Sequence, residues 1–308
     1  MSNWQSAHGK IILTGEHAVV YGQPAIAGAF PNAISAKVSP SAGGISIQFP
    51  HWGYHSSLPS TDKADMLVDV LQLILARLGL ARHSFALELN ARVRPGMGLG
   101  ASASLAVATI RALDYHYTLG LTLAEVNALA FECEILSHGR PSGIDNTMAC
   151  FGGLCAFQRA QGDNVLKPIV AAAPLNLVVV MTPETGSTAA MVAMVAERVE
   201  QDPVGCHAIF EEIGELSRQA GTAVRHGDLV LLGKLMARNH ELLAELGVST
   251  AHINGVVAQL CDAGALGAKL TGSGGGGAVI ALCDNNSHGL AQAMARRGND
   301  VMEVQLGV

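Results

Sequence analysis

Three glycine-rich segments of this 308-residue chain have the residue types and spacing of a phosphate-binding site. The first, at 95–104, reads PGMGLGASAS and links a strand-like run to a helix-like run. Such a turn directs several backbone N–H groups at one point beside the positive end of a helix dipole, which is where proteins bind phosphate. Its letters also fit the GxGxxA dinucleotide fingerprint, but that turn usually follows the first strand of its domain, whereas this one lies far into the chain. The sequence has no GxxxxGK motif, so a P-loop is excluded.

The second and third segments each add a candidate for chemistry. The second, at 138–146, reads HGRPSGIDN, and its Asp145 is expected in a loop between a helix and an apolar strand. An aspartate there can act as a general base or can simply form a turn. The third, at 269–277, reads KLTGSGGGG and lies between two apolar runs. Because ordering a free linker inside a core costs entropy without return, we expect a tight loop that a ligand approaches closely.

Two glutamates precede Asp145 on one predicted helix, and either could hold a cation. Glu134 lies one turn after Ala130 and Phe131, and Glu132 has equally apolar neighbours. A buried carboxylate in such surroundings needs a positive partner, and Mg²⁺ prefers oxygen ligands. Residue patterning by itself does not choose between the two glutamates.

The elements that would position these residues mix strands and helices, which predicts an α+β fold. Hydrophobic alternation and short apolar runs predict strands at 10–14, 33–38, 45–49, 84–93, 175–181, 268–271, 278–282 and 301–306. Helices are predicted at 65–80, 101–117, 122–137 and over much of 188–263. Thr122 and Glu125 have the spacing of a capping box at the start of the third helix. A domain boundary is expected near 165–174.

Composition limits the classes of function. The formal net charge is −6 and the basic residues are scattered, which argues against a nucleic-acid-binding protein. No apolar run reaches the ~18 to 20 residues of a membrane span, and the chain does not start with a basic-then-apolar signal peptide. We therefore expect a cytoplasmic, soluble protein that binds neither nucleic acid nor membrane.

Taken in order, the three segments resemble the signatures of the GHMP kinase superfamily. The segment at 9–22, GKIILTGEHAVVYG, is similar to one found in mevalonate kinases and narrows the resemblance to that family. The four motifs extend from Gly9 to Gly277, nearly the whole chain, and together are far more specific than any one alone. The resemblance implies a ribosomal protein S5 domain 2-like N-terminal domain at 1–168 and a ferredoxin-like C-terminal domain at 169–308. ATP is expected between these domains.

The resemblance also implies a role for each matching residue. Asp145 matches the base that takes the proton of the acceptor hydroxyl, and Lys10 matches the lysine that stabilises the developing alkoxide. Ser102 and Glu134 match the Mg²⁺ ligands. The ATP phosphates are expected on Pro95, Gly96, Met97, Gly98, Leu99, Gly100, Ala101, Ser102, Ala103 and Ser104. The acceptor, mevalonate, is expected beside Glu16, His17, Asp145, Thr188, Gly272 and Ser273, with His17 donating to its carboxylate.

Two positions depart from the family pattern, and several alternative functions can be weighed. His8 stands where many relatives have proline, and Ala101 stands where many have a second serine. Within the same fold, the acceptor could be phosphomevalonate, a sugar or homoserine, but the stretch at 11–36 lacks the Arg and Lys that a phosphomevalonate dianion would need. A non-catalytic ligand sensor would be expected to lose Asp145, Lys10 or a metal ligand, and all are present. A nucleotide-binding oxidoreductase would leave the other motifs unexplained, and a homodimer is left open.

Overall fold

The computed structural model describes residues 3–58, 65–139, 141–159 and 165–307. The strands are β1 Gln5–Thr14, β2 Pro24–Pro40, β3 Ile45–Phe49, β4 Tyr54–Leu58, β5 Phe85–Ala91, β6 Leu154–Gln158, β7 Val165–Pro168, β8 Leu175–Met181, β9 Gly267–Thr271, β10 Ala278–Cys283 and β11 Asp300–Leu306. The helices are α1 Met66–Leu78, α2 Ala101–Tyr117, α3 Leu123–His138, α4 Ile144–Phe151, α5 Thr188–Gln201, α6 Pro203–His226, α7 Leu229–Glu245, α8 Ala251–Asp262 and α9 Ser287–Arg296. This mixture confirms the predicted α+β class.

The chain divides into two compact units whose segments alternate along the sequence. Unit 1 comprises Met1–Gly9, Pro31–Pro95 and Gly100–Gly152. Unit 2 comprises Lys10–Phe30, Gly96–Leu99 and Gly153–Val308. The boundary between residues 168 and 169 concerns the domains implied by the family resemblance, and it stays a prediction.

In unit 1 a sheet forms where alternating apolar residues meet a common core. The second half of β2 pairs antiparallel with β5, with Ile34 opposite Ala91, and β5 pairs parallel with β3. Strand β3 then pairs antiparallel with β4. Phe85, Leu87 and Leu89 on β5 are buried, while the two residues that alternate with them, Ala86 and Glu88, are partly exposed, as period-2 alternation predicts. Helices α2, α3 and α4 pack against one another in the same unit.

In unit 2 the strands β11, β8, β10 and β9 form an antiparallel sheet in that order. The central strand β10 pairs with both of its neighbours, so that Ala278 lies opposite Met181 on one side and Thr271 on the other. Because Thr271 and Ala278 are directly paired, residues 272–277 form the short loop that joins β9 to β10. The tight loop expected from the glycine run is therefore confirmed.

The expectation that Asp145 lies in a loop is wrong. Asp145 is in the first turn of α4, a helix of 8 residues that begins after Gly143, whose φ is +84°, and ends at Gly152. Glycines this close together predict loop, and so short a helix shows too little periodicity to oppose that prediction. The sequence pattern also misses β4, β6, β7 and α9, all of them short. Arg140, in the same motif, lies outside the described residues.

In the described ranges, every helix is too short or too polar to cross a membrane.

Candidate active site

The glycine-rich loop at 95–100 leads directly into the N-terminus of α2. Gly96, Gly98 and Gly100 all have left-handed backbone, with φ values of +76°, +72° and +74°. Alternating left-handed residues turn successive N–H groups toward one side and form an anion-binding concavity. Among the described residues, no side chain caps the first turn of α2, and that turn carries no acidic residue. Its N–H groups are therefore suited to a phosphate.

Not every residue of the expected phosphate loop faces outward. The side chains of Met97, Leu99 and Ala103 are buried in the core. Ser104 is fully buried, and its hydroxyl lies 2.6 Å from the carbonyl oxygen of His8 and 2.7 Å from that of Gly100. The structure thus gives Ser104 a role in packing α2, in contrast to the phosphate contact expected from the sequence.

The first and third motifs approach each other closely within unit 2, and glycine is what permits it. A Cβ added at Gly98 would lie 2.8 Å from the carbonyl oxygen of Thr271, and one added at Gly272 would lie 2.9 Å from the Cα of Gly98. The β9–β10 loop and the loop at 96–99 therefore touch through their backbones. Neither glycine can be replaced without moving the other loop.

Gly98→Ala is expected to raise the KM for ATP about tenfold or more, because displacing a phosphate-binding loop by an ångström can cost far more than that. Gly120→Ala is the matched control. Gly120 has a similar left-handed φ, +74°, but no atom lies within 4 Å of an added Cβ in the described part of the chain. Both variants should lose a similar ~1 kcal/mol of stability from the left-handed backbone. Steady-state kinetics at saturating acceptor test this, and an equal KM for ATP in the two variants would contradict it.

Ser102 and Glu134 come together in unit 1 around one histidine that the sequence analysis did not select. His138 Nε2 lies 3.2 Å from Ser102 Oγ and 3.9 Å from Glu134 Oε2. Ser102 is in the first turn of α2, while Glu134 and His138 are one turn apart on α3. The sequence pattern could have indicated His138, because this residue is the first of the second motif and lies four residues after Glu134 on the same helix face.

The structure separates the two glutamates that residue patterning leaves equivalent. The Glu134 side chain is 4% exposed. The Glu132 side chain is 41% exposed, and its Oε2 accepts a hydrogen bond from Arg77 Nε at 2.7 Å. Glu132 thus belongs to a surface ion pair, whereas Glu134 is the buried carboxylate beside Ser102.

Asp145 is carried by a helix that is well anchored within unit 1. Next to it, the Asn146 amide donates a hydrogen bond of 2.8 Å to Asn127 Oδ1 on α3. The Thr147 hydroxyl donates to the carbonyl oxygen of Gly143 at 2.7 Å. These contacts fix the first turn of α4, and with it the half-buried carboxylate.

His8, at the first of the two positions that depart from the pattern of the resembled family, ties β1 to the same helix. Its Nδ1 lies 3.3 Å from the carbonyl oxygen of Ala149 on α4, and the ring lies over Gly152, where an added Cβ would come within 3.1 Å of it. Burial lowers the pKa of His8, which favours the neutral imidazole with its proton on Nδ1. The departure from the family pattern therefore supplies a contact that proline could not make.

Lys10 is buried in unit 2, and its strand is attached to the glycine-rich loop at 96–99. The backbone N–H of Lys10 donates to the carbonyl oxygen of Leu99 at 2.9 Å. The positive charge of Lys10 also favours the ionised form of Glu16, although burial is the largest influence on that carboxyl and raises its pKa.

Three of the residues expected to bind the acceptor are brought together in unit 2. His17 Nε2 lies 2.8 Å from the carbonyl oxygen of Ser273, and the Ser273 hydroxyl donates to the Thr188 hydroxyl at 3.2 Å. His17 has a left-handed φ of +59°, which is uncommon outside glycine and is often associated with functional sites. Gly272 lies beside Ser273 in the same loop.

The hydrogen bond of His17 bears on its expected role. A carbonyl oxygen only accepts, so Nε2 must carry the proton and donate it to Ser273. Burial lowers the pKa of His17, so the ring is neutral near pH 7 and Nδ1 can only accept. In this arrangement His17 is committed to the β9–β10 loop and has no donor left for the carboxylate of an acceptor.

Glu16 does not reach a surface at all, and its partner is a residue missed by sequence reasoning. Its carboxylate is buried against the ammonium of Lys269, which is also buried. A lysine inside the apolar strand β9 is the signal that could have indicated such a pair, because a buried charge requires an opposite one.

A cavity of about 420 Å³ in unit 2 contains none of the predicted site residues among its described lining, which comes from β2, β6, β7 and α6. Most of the predicted residues instead lie on loops and helix N-termini, where binding groups are commonly placed, while Lys10 lies on β1 and Glu134 near the end of α3. The cavity therefore does not define the candidate active site.

Known proteins are similar to this chain over nearly its whole length. The models for the GHMP kinases N terminal domain and the GHMP kinases C terminal match residues 65–153 and 222–303. The mevalonate kinase of Pyrococcus abyssi is 34% identical, over 96% of this chain and 93% of the relative.

Two solved structures show the same architecture. The L. major mevalonate kinase, crystallised in complex with R-mevalonate, is 33% identical with a TM-score of 0.87, covering 99% of this chain and 96% of that one. The mevalonate kinase of Methanococcus jannaschii has a TM-score of 0.84 over 98% of each chain, and at 23% identity it shows the fold alone. The two-domain GHMP kinase fold expected from the sequence is confirmed, and the chain belongs to the GHMP kinases and, within them, to the mevalonate kinase family.

Proposed function

We propose that this chain transfers the γ-phosphoryl group of ATP to the C5 hydroxyl of mevalonate, giving 5-phosphomevalonate. As a member of a kinase family it uses ATP. The observation that carries the proposal is the 34% identity to a mevalonate kinase over 96% of the chain. The alternatives with another acceptor, or with no turnover, have no comparable support.

The phosphates of ATP are proposed to bind at the N-terminus of α2. The left-handed glycines at 96, 98 and 100 and the uncapped first turn of the helix support this placement. The direct contacts are then backbone N–H groups of the loop and the hydroxyl of Ser102. Ser104 is excluded from this set because its hydroxyl is used inside unit 1.

Mg²⁺ is proposed to bind Ser102 and Glu134. The fit rests on the buried carboxylate of Glu134, which shares His138 as a neighbour with the Ser102 hydroxyl. No group of three His, Cys, Asp or Glu side chains in the described ranges is arranged to hold a metal. That is compatible with Mg²⁺, which commonly takes one or two protein oxygens and completes its shell with water and substrate phosphates. When bound, the ion neutralises charge on the phosphates.

The chemistry proposed for the acceptor needs one base and one cation. Asp145 takes the proton of the C5 hydroxyl, the resulting alkoxide attacks the γ-phosphorus, and the bond to ADP breaks. The ammonium of Lys10 stabilises the negative charge that develops on the attacking oxygen. Phosphoryl transfer otherwise asks the protein mainly for positioning.

Mevalonate is proposed to lie against the group formed by His17, Thr188 and Ser273 in unit 2. Thr188 is the first residue of α5, so its hydroxyl lies at the positive end of that helix dipole. An acceptor carboxylate would be favoured there. The Thr188 hydroxyl, which accepts from Ser273, keeps its own proton to donate to that carboxylate. This placement replaces the donation from His17 that the sequence suggested. A cytoplasmic location, the absence of nucleic-acid partners and a homodimeric state stay predictions.

A substrate panel tests the proposed function. ADP release is measured with ATP, Mg²⁺ and each of mevalonate, phosphomevalonate, galactose and homoserine. We expect mevalonate to give the highest kcat/KM, because a site that hydrogen-bonds one acceptor discriminates strongly against others. A higher kcat/KM with any other acceptor would overturn the assignment of mevalonate as the substrate. If the protein bound one of these compounds but phosphorylated none of the four, the alternative function as a non-catalytic ligand sensor would be favoured.

A further inference from the structure

An ion pair lies fully inside unit 2, where the segment at 9–22 meets the strand β9. Lys269 is 0% exposed and Glu16 is 1% exposed. The Lys269 ammonium donates to Glu16 Oε1 and also to the carbonyl oxygen of Leu270, the latter at 2.6 Å. Burial favours the neutral form of each group, so it raises the pKa of Glu16 and lowers that of Lys269, and their mutual attraction opposes both shifts. Either charge alone would be strongly unfavourable here.

Helix α7 holds the backbone on both sides of this pair. Asn239 Oδ1 accepts a hydrogen bond of 3.0 Å from the N–H of Gly15, the residue before Glu16. His240 Nδ1 accepts one of 3.4 Å from the N–H of Leu270, the residue after Lys269. The pair is therefore the centre of a buried polar cluster that joins three elements: the turn at 15–17, the strand β9 and the helix α7.

The cluster is poorly suited to stabilising the fold alone. In the described part of the chain, Glu16 Oε2 and Asn239 Nδ2 are buried without a hydrogen-bond partner. Unpaired polar atoms in a core are unfavourable, and apolar residues of similar volume often replace a buried ion pair without loss of stability. A different role for the pair is therefore indicated, and its position shows which one.

The turn that carries Glu16 and the loop that follows the strand of Lys269 carry the groups proposed to face the acceptor. Directly after Glu16, His17 adopts its left-handed backbone and donates to the Ser273 carbonyl oxygen at 2.8 Å. Gly15 is pressed against the neighbouring strand, so that an added Cβ would lie 2.4 Å from the Cα of Ala25. The turn at 15–17 is thus attached to the strand β9 behind it and to the β9–β10 loop in front of it.

We propose that Lys269 is a positioning residue for the acceptor, and that it acts through Glu16. The ion pair holds the turn at 15–17 against the strand β9. This fixes His17, whose hydrogen bond to the β9–β10 loop then holds Ser273 where the acceptor is expected. Glu16 is then also a positioning residue and not a contact of the substrate. The identity of the acceptor in this inference rests on the proposed function. The contacts that hold the turn do not depend on that function.

Three variants separate positioning from folding: Glu16→Gln, Lys269→Met and the double variant with both changes. Each single variant leaves one buried charge unpaired and should lower Tm clearly. The double variant leaves no charge and should recover most of the Tm. Its KM for the acceptor should nevertheless stay raised by roughly tenfold to a hundredfold, because the turn is no longer held in place. The KM for ATP should rise clearly less than the KM for the acceptor, because the β9–β10 loop also touches the loop at 96–99 but the turn at 15–17 is released directly.

Lys37→Met with Glu88→Gln provides the matched control. These two residues form a Lys–Glu pair at 3.9 Å in unit 1, with side chains 35% and 45% exposed. Surface pairs contribute little, so both Tm and KM should stay near wild type. Asn239→Ala tests the same positioning without removing a charge. It releases the N–H of Gly15, so it should also raise the KM for the acceptor.

The Tm and the KM of the double variant together decide whether the pair positions the turn or only stabilises the fold. A double variant that recovers Tm and a wild-type KM together would show that the pair serves stability alone and would overturn the proposal. An equal rise in the KM for ATP would do the same. Amide hydrogen exchange gives a readout independent of the substrate, since peptides containing 15–17 and 272–277 should exchange faster in the double variant than in the control. If the wild type does not phosphorylate mevalonate, the proposed function fails. If hydrogen exchange at 15–17 and 272–277 in the double variant is the same as in the control, the positioning role of the pair is refuted.

Discussion

Asp145→Asn is expected to lower kcat by about 10²- to 10⁴-fold while ATP binding survives. Asparagine has nearly the same shape as aspartate, so the first turn of α4 should keep its anchors at Asn146 and Thr147. What is lost is the ability to accept a proton from the acceptor hydroxyl. Single-turnover rates with saturating mevalonate measure the chemical step, and titration with a fluorescent ATP analogue measures binding.

Asp69→Asn is the control for the effect of removing a carboxylate from the first turn of a helix, apart from any loss of a catalytic base. Asp69 is an exposed carboxylate in the first turn of α1, also in unit 1, so its loss removes a similar favourable interaction with a helix dipole. We expect full activity from this variant. If Asp145→Asn kept more than half of the wild-type kcat, Asp145 would not be the base.

The elements that sequence patterning predicts well are those whose signals are local. The strands at 45–49 and 175–181 and the helix at 101–117 are confirmed with the same bounds. The capping box of Thr122 and Glu125 is present as expected, because both of its hydrogen bonds join residues three positions apart. Local chemistry of this kind does not depend on the rest of the fold.

What could not be predicted depends on contacts between distant parts of the chain. Glu132 and Glu134 have similar neighbours in sequence, and only the packing of α3 decides that one meets Arg77 and the other is buried. Glu16 and Lys269 are 253 positions apart, so their pairing cannot be read from either motif. The resemblance to a family chose Glu134 as the Mg²⁺ ligand, a role that stays a prediction, and the structure shows that Glu134 is the buried carboxylate of the two. The resemblance also placed Glu16 near the substrate, and the structure shows Glu16 in a buried ion pair.

Glu134→Gln is expected to raise the Mg²⁺ concentration needed for half-maximal activity by at least about tenfold. Glutamine keeps the shape of the side chain but removes the charge that a hard divalent cation requires from its oxygen ligands. Even changes to groups that only support a metal ligand typically weaken affinity by 10- to 100-fold. The activity is titrated with free Mg²⁺ at a fixed concentration of ATP, and Mn²⁺ bound in the presence of a non-hydrolysable ATP analogue is counted separately by electron paramagnetic resonance.

Glu132→Gln tests whether the effect belongs to the buried face of α3. The two side chains lie about 200° apart around the helix at 3.6 residues per turn, so one change cannot substitute for the other. Glu132→Gln disrupts only the surface pair with Arg77, and such pairs contribute at most about 1 kcal/mol. We expect its Mg²⁺ dependence to match the wild type, and its Tm to fall slightly if at all. Equal losses in the two variants, or a larger one at Glu132, would mean that the metal is not held by the carboxylate beside Ser102, and that the family motif is displaced on this helix by two residues.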